Sequence, residues 1–250
     1  MKRILLLMLC VMLTIMIVGC SSGISPEEYY AVVSERDALK EQVEALMQQS
    51  GETEVSGEDS IAEETSKEEF DSESVLKQLK ITEYHFKNDY WNFACLEIKN
   101  DSPYNLNISA NVNFYDEDKN LIGAKDDEQG AVESGYSTIL YFMPDEDYSD
   151  MEYELNVSEE EYFECVQSNL SYKATEAEDK VIVSVTNNGD KAAEFVKAYV
   201  LFFKGDSPVG FSSNYVMDDD DELKPGKTIS QEMDCYEEFD SYKVFLSGRR

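Results

Sequence analysis

The sequence predicts a mainly β chain: two tandem antiparallel β-sandwiches, preceded by a short helix and a disordered acidic linker. Three observations predict this. The last two thirds of the chain repeat themselves at a spacing of about 87 residues. Every matched run alternates apolar and polar residues with period two, as half-buried strands do. Ahead of the repeat lies a stretch too acidic and too poor in apolar side chains to build a core.

The repeat is legible strand by strand. Ala94, Leu96 and Ile98 match Val181, Val183 and Val185, and an Asn turn follows in both copies. Ile108, Ala110, Val112 and Phe114 fall on Val196, Ala198, Val200 and Phe202. Leu121-Ile122-Gly123 corresponds to Pro208-Val209-Gly210, and Ser134-Gly135 to Pro225-Gly226. Met151, Tyr153 and Leu155 correspond to Tyr242, Val244 and Leu246. The lead-in is matched as Val75, Leu76 and Leu79 against Tyr162, Phe163 and Val166. Short β-branched and aromatic runs separated by Gly, Pro, Asn and Asp favour six or seven strands per copy. The expected architecture is an immunoglobulin-like sandwich without the Cys–Trp–Cys signature of antibody domains. The expected boundaries are 73–158 and 159–250.

The N-terminus carries Lys2 and Arg3, then an apolar run from Ile4 to Val18 broken only by Thr14. A membrane span needs about 20 residues, so this run has the length of a signal-peptide core instead. It ends Ile17-Val18-Gly19-Cys20-Ser21-Ser22. That motif resembles the lipobox of bacterial lipoproteins. The resemblance implies cleavage after residue 19 and a diacylglyceryl thioether on Cys20, with fatty acyl chains such as palmitate. Two chains anchor far more firmly than one. An uncleaved anchor and an ordinary signal peptide are the alternatives. The resemblance places the protein on the extracytoplasmic face of the cell membrane.

Residues 20–50 read as a helical tether. Pro26-Glu27-Glu28 opens it with acids at the positive end of the helix dipole. Tyr29, Val32, Leu39, Val43 and Leu46 recur at heptad spacing, with Arg36 interrupting a core position. The pattern predicts either a short coiled coil that pairs copies of the chain through residues 29–46 or a lone frayed helix. Residues 51–72 hold nine acids against one Lys, Lys67, and predict a self-repelling spacer.

Charge narrows function. The chain has 53 acidic and 21 basic residues, a net charge of −32. Nucleic acid is therefore not an expected partner, because phosphate binding needs a basic surface. A single histidine, His85, excludes His-rich metal sites and leaves little for imidazole catalysis.

Within the first copy, Val112-Asn113-Phe114-Tyr115-Asp116 followed by Leu121-Ile122-Gly123 resembles the FxLYD-type module of extracytoplasmic lipoproteins, found mostly in Gram-positive bacteria. The second copy departs from it: Val200-Leu201-Phe202-Phe203-Lys204 lacks the Tyr-Asp but keeps Gly210 and Pro225-Gly226. The resemblance covers about residues 75–250. It implies a binding or spacer module and supplies no catalytic residues.

Asp116-Glu117-Asp118-Lys119-Asn120 has early ligand positions of a calcium loop, but Leu121 stands where Gly is expected. A hairpin turn explains the same residues. Asp218, Asp219, Asp220, Asp221 and Glu222 form a denser cluster, a weak metal candidate against the simpler reading of a solvated loop. Cys95, Cys165 and Cys235 show no disulfide framework, although a Cys165–Cys235 bridge is open. A Cys–His nucleophile with His85 has no supporting motif. Tyr199, Leu201 and Phe203 alternate with the core set of their strand, where the first copy has Asn111, Asn113 and Tyr115. A segment apolar on both faces marks a contact surface, with the first copy, a second chain or a ligand as its occupant.

These readings favour a non-enzymatic, lipid-anchored surface protein without a cofactor, binding a protein, peptide or glycan or acting as a spacer. The alternatives are a transporter's solute-binding lipoprotein, which should show alternating strands and helices, and a cell-wall hydrolase, which needs converging carboxylates or a metal.

Overall fold

The computed structural model describes residues 70–88, 91–217 and 220–250. Cys20, the tether and nearly all of the acidic linker lie outside the described residues. Phe70 and Asp71, expected within the linker, take part in ordered contacts. Phe70 packs edge-on against Tyr104 at 5.3 Å. Asp71 caps helix α1 (Ser72–Leu76) by accepting from the Glu73 N–H and the Ser74 hydroxyl.

The first copy contains β1 (Leu79–Lys87), β2 (Asn92–Asn100), β3 (Leu106–Tyr115), β4 (Leu121–Val132), β5 (Ser137–Phe142) and β6 (Asp150–Glu159). They form two antiparallel sheets, ordered β1-β2-β5 and β4-β3-β6. The second copy contains β7 (Leu170–Ala177), β8 (Lys180–Asn187), β9 (Ala193–Lys204), β10 (Ser207–Tyr215), β11 (Glu222–Leu223), β12 (Thr228–Asp234) and β13 (Ser241–Arg249). Its sheets are β7-β8-β12 and β10-β9-β13, with β11 also on β9. The strand orders of the two copies coincide, as a duplication requires. The fold is mainly β and built as sandwiches.

Each sandwich encloses its own core. Ala94, Leu96 and Ile98 of β2 meet Ile108, Ala110, Val112 and Phe114 of β3. Val181, Val183 and Val185 of β8 meet Val196, Ala198, Val200 and Phe202 of β9. Both sets are the inward-facing residues that the period-two pattern selects.

The lead-in is aligned differently from the sequence expectation. Leu79 sits opposite Asn100, and Leu170 sits opposite Asn187. Val75 is therefore matched by Val166, both buried, while Tyr162 is exposed. The cause is local: β7 and β8 join through only Glu178 and Asp179, whereas β1 and β2 are joined by a loop of four residues.

One repeated device ties each sandwich at its end. Asn100 and Asn187 are fully buried. The Asn100 amide donates to the carbonyls of Tyr104 and Val132, and that of Asn187 to those of Lys191 and Leu223. Their backbone carbonyls accept from Gly135 and Gly226. Both glycines hold positive φ, +82° and +69°, which explains Gly at these turns.

Candidate functional site

The sequence marked the outer face of β9, and the structure explains it. Leu201 is completely buried, with Tyr199 and Phe203 nearly so. They lie against Cys95 of β2 and Ile139 of β5, with Phe245 of β13 beside them. Tyr84, Phe86, Tyr141 and Phe211 complete this third apolar cluster. The occupant is thus the first copy: sheet β1-β2-β5 packs its outer face on sheet β10-β9-β13. Four sheets stack in series, and β2 and β9 are buried on both faces.

Polar contacts frame the junction. Gln167 accepts from the Glu133 N–H at 2.7 Å and donates to the Leu246 carbonyl at 2.7 Å. The Glu133 carboxylate accepts from the Ser168 N–H at 2.8 Å. Lys243 donates to Glu97 at 2.6 Å and to the Tyr84 hydroxyl at 2.8 Å. The Tyr199 hydroxyl donates to Gln129 at 2.8 Å. Burial pushes that phenol up to about 12.

A cleft of about 350 Å³ opens at one side of the junction, among β4, β5, β9, β10 and β13. The Lys197 ammonium stands over three rings, 4.9 Å from the centre of Tyr199, 5.3 Å from Tyr215 and 5.7 Å from Tyr141. Burial lowers its pKa, and the charge of Asp127 partly opposes that shift. Burial raises the pKa of Asp127, while N–H donors of Tyr141 and Glu128 pull it back. Arg249 lies on the Phe163 ring at 3.9 Å and near Phe195 at 5.1 Å. Nothing in the sequence reading singled out Lys197 or Arg249. Apart from Tyr199 on the same strand, their ring partners lie on other strands or loops distant in sequence, and a Lys on a β-strand carries no local motif.

The other candidates resolve locally. Asp116 accepts from the Asn120 N–H at 2.8 Å and from its side-chain amide at 2.9 Å, while Lys119 takes positive φ. These contacts tie the turn of the β3–β4 hairpin. Asp218 and Asp219 lie outside the described residues. Asp220 pairs with Lys224, which lowers its pKa, and Glu222 sits in β11 opposite Glu194. Cys95, Cys165 and Cys235 are buried and free, so the Cys165–Cys235 bridge is not formed. Burial raises the pKa of all three, to about 12 for Cys165. His85 meets the Tyr148 hydroxyl at 2.9 Å. Its neighbours Tyr84 and Phe86 share the junction face with Cys95, so imidazole and thiol project from opposite faces of one sheet.

No helix among the described residues is long and apolar enough to cross a membrane. No family model matches the chain, and no curated protein matches it in sequence. Among solved structures, a transglutaminase from red sea bream is similar over 75% of this chain and 32% of its own, at 9% identity and a TM-score of 0.22. The chain thus spans about a third of that enzyme's length, and a likeness this slight carries no argument about activity.

Proposed function

We propose that the protein is a non-enzymatic, lipid-anchored module on the extracytoplasmic face of the cell membrane. Cys20 is its lipidation site, and the paired sandwiches bind a ligand at a distance from the membrane. The observation that carries this reading is the buried junction between the copies. An apolar interface framed by Gln167, Lys243 and Tyr199 favours a rigid body. A rigid body at the end of a charged tether suits presentation of a fixed surface. The solute-binding alternative is less well served, because closure on a solute needs a hinge between lobes.

Mass spectrometry of the N-terminus tests the anchor. The wild-type chain should begin at an acylated Cys20 and fractionate with membranes. Cys20→Ser should accumulate as an unacylated precursor. A mature N-terminus elsewhere, or acylation that survives the substitution, would overturn the anchor.

A further inference from the structure

Strand β13 pairs with β9 on one side and with no strand on the other among the described residues. Antiparallel pairing alternates, so every second residue of an edge strand aims its N–H and C=O outward. Two hydrogen bonds fix which residues these are. The Val216 N–H donates to the Val196 carbonyl, which puts Val196, Ala198, Val200 and Phe202 on the β10 side of β9. Tyr242, Val244 and Leu246 stand opposite Phe202, Val200 and Ala198, and so aim their backbone groups away from β9. The Gln167 amide meets the Leu246 carbonyl from that outer side, at 2.7 Å. At Tyr242 and Val244 no partner occupies it among the described residues. The first copy covers the equivalent edge, because helix α1 packs against β6. In the second copy the counterpart is the single turn Gln167–Asn169, which bonds β13 at Leu246. From Tyr242 onward the edge opens on a cleft of about 440 Å³.

We propose that this edge receives an extended, uncharged segment of another protein as an added β-strand. The inference rests on the binding role proposed above and names its ligand class. A row of alternating donors and acceptors is answered in full by another extended backbone. The added strand continues the layer of β10-β9-β13, which lies between those of β1-β2-β5 and β7-β8-β12. Its side chains therefore alternate between two walls. Leu170 and Tyr172 of β7 make one wall; Tyr136 and the Lys243–Glu97 pair make the other. Tyr136 and Tyr172 are 38% and 49% exposed, and the cations that stand over tyrosine rings take Tyr84, Tyr141, Tyr199 and Tyr215 instead. Lys243 and Glu97 are the charged residues lining the cleft, and they neutralise each other at 2.6 Å. One Glu97 oxygen accepts from both Lys243 and Tyr84, which leaves the other for a hydroxyl or amide donor of the ligand. The fitting segment alternates apolar residues with uncharged polar ones. A net charge of −32 on the chain opposes an acidic one. Tyr242 to Leu246 spans about 14 Å of strand, the reach of about five residues.

Fluorescence anisotropy provides the test, with the full-length chain in detergent titrated into a labelled, capped hexapeptide alternating Val and Thr. It should bind with a Kd below about 1 mM. Its fully N-methylated analogue keeps the side chains and loses every backbone donor, and should bind at least about tenfold more weakly. An analogue with Glu in place of Thr should weaken by a similar factor. Val244→Pro removes an outward N–H and leaves the ladder to β9 in place, and should also cost about tenfold. Tyr172→Ala, at an exposed ring, should weaken binding by about threefold with an unchanged urea midpoint. Equal binding of the methylated and unmethylated peptides, or no binding at about 1 mM, overturns the proposal. So does a wild-type dimer that Val244→Pro turns into a monomer in sedimentation, which would give the edge to a second copy of this chain. Acylation of Cys20 has no bearing on these titrations, so failure here and failure of the anchor are told apart.

Discussion

The two copies share a fold and differ in which surface they bury. In the first, the outer face of β3 carries Asn111 and Asn113, both exposed to water. In the second, the same face of β9 carries Tyr199, Leu201 and Phe203, buried under the neighbouring copy. The first copy meets that face with the other of its sheets, β1-β2-β5. The interface is therefore heterologous: each copy contributes a different face. Heterologous contacts propagate unless their ends are blocked. Here both ends are polar. Sheet β4-β3-β6 faces water with Asn111, Asn113, Glu152 and Glu154, and sheet β7-β8-β12 with Ser184–Ser230 and Thr186–Thr228 hydrogen-bonded pairs. Duplication supplied two equal modules, and divergence of alternate residues on a few strands decided where they join and where the stack stops.

The largest expected effect separates the equivalent positions Leu201 and Asn113. Leu201→Ala should cost about 2–5 kcal/mol, because it empties a fully buried site. Asn113→Ala should stay within about 0.5 kcal/mol, as exposed changes do. Urea unfolding measures both, and equal losses would break the comparison.

A test in the opposite sense uses the asparagines. Asn100→Ala and Asn187→Ala should each cost about 2–3 kcal/mol, since each strands one buried and one part-buried carbonyl acceptor. A marked inequality would show that the two devices are not equivalent despite their shared geometry.

Glycine sharpens the contrast further. A Cβ at Gly210 would stand 2.7 Å from the Cys235 sulfur, whereas one at Gly123 meets nothing within 4 Å. Gly210→Ala should cost about 1–3 kcal/mol by overpacking, and Gly123→Ala should be close to neutral. Cys235→Ala added to Gly210→Ala should restore part of the loss, read as a thermodynamic cycle in urea.

The smallest effect is a pH dependence confined to the second copy. The Arg250 guanidinium, 2.8 Å away, holds the Glu164 carboxyl down to about 2. A carboxyl whose folded pKa is depressed adds stability above its unfolded pKa, near 4.5, and loses it as pH falls toward 2. Glu164→Gln should flatten the melting temperature between those limits without altering it sharply near neutrality. An unchanged acid limb would remove the pair from the account.

Much of this molecule was legible as pattern. Period-two alternation is a local property, so the inward residues of β2, β3, β8 and β9 could be read directly, and self-similarity revealed the duplication. The double-sided strand β9 was legible too, but not its occupant. Tyr199, Leu201 and Phe203 announce burial without saying by what, since Cys95 and Ile139 lie scores of residues away. The lead-in slipped because two hairpin loops of different length, at Asn88–Trp91 and Glu178–Asp179, shift the register without changing the pattern.

By itself the sequence determined a mainly β chain, its duplication, the inward faces of its strands and the Asn and Gly positions that end them. These follow from alternation and backbone conformation, which act between near neighbours. The tertiary structure alone decided that sheet β1-β2-β5 covers β9, that Cys165 and Cys235 stay apart, and that Lys197 and Arg249 share a cleft with Asp127 and Glu128. Those outcomes depend on which surfaces pack most completely once the sandwiches exist, and packing is a property of shape in three dimensions.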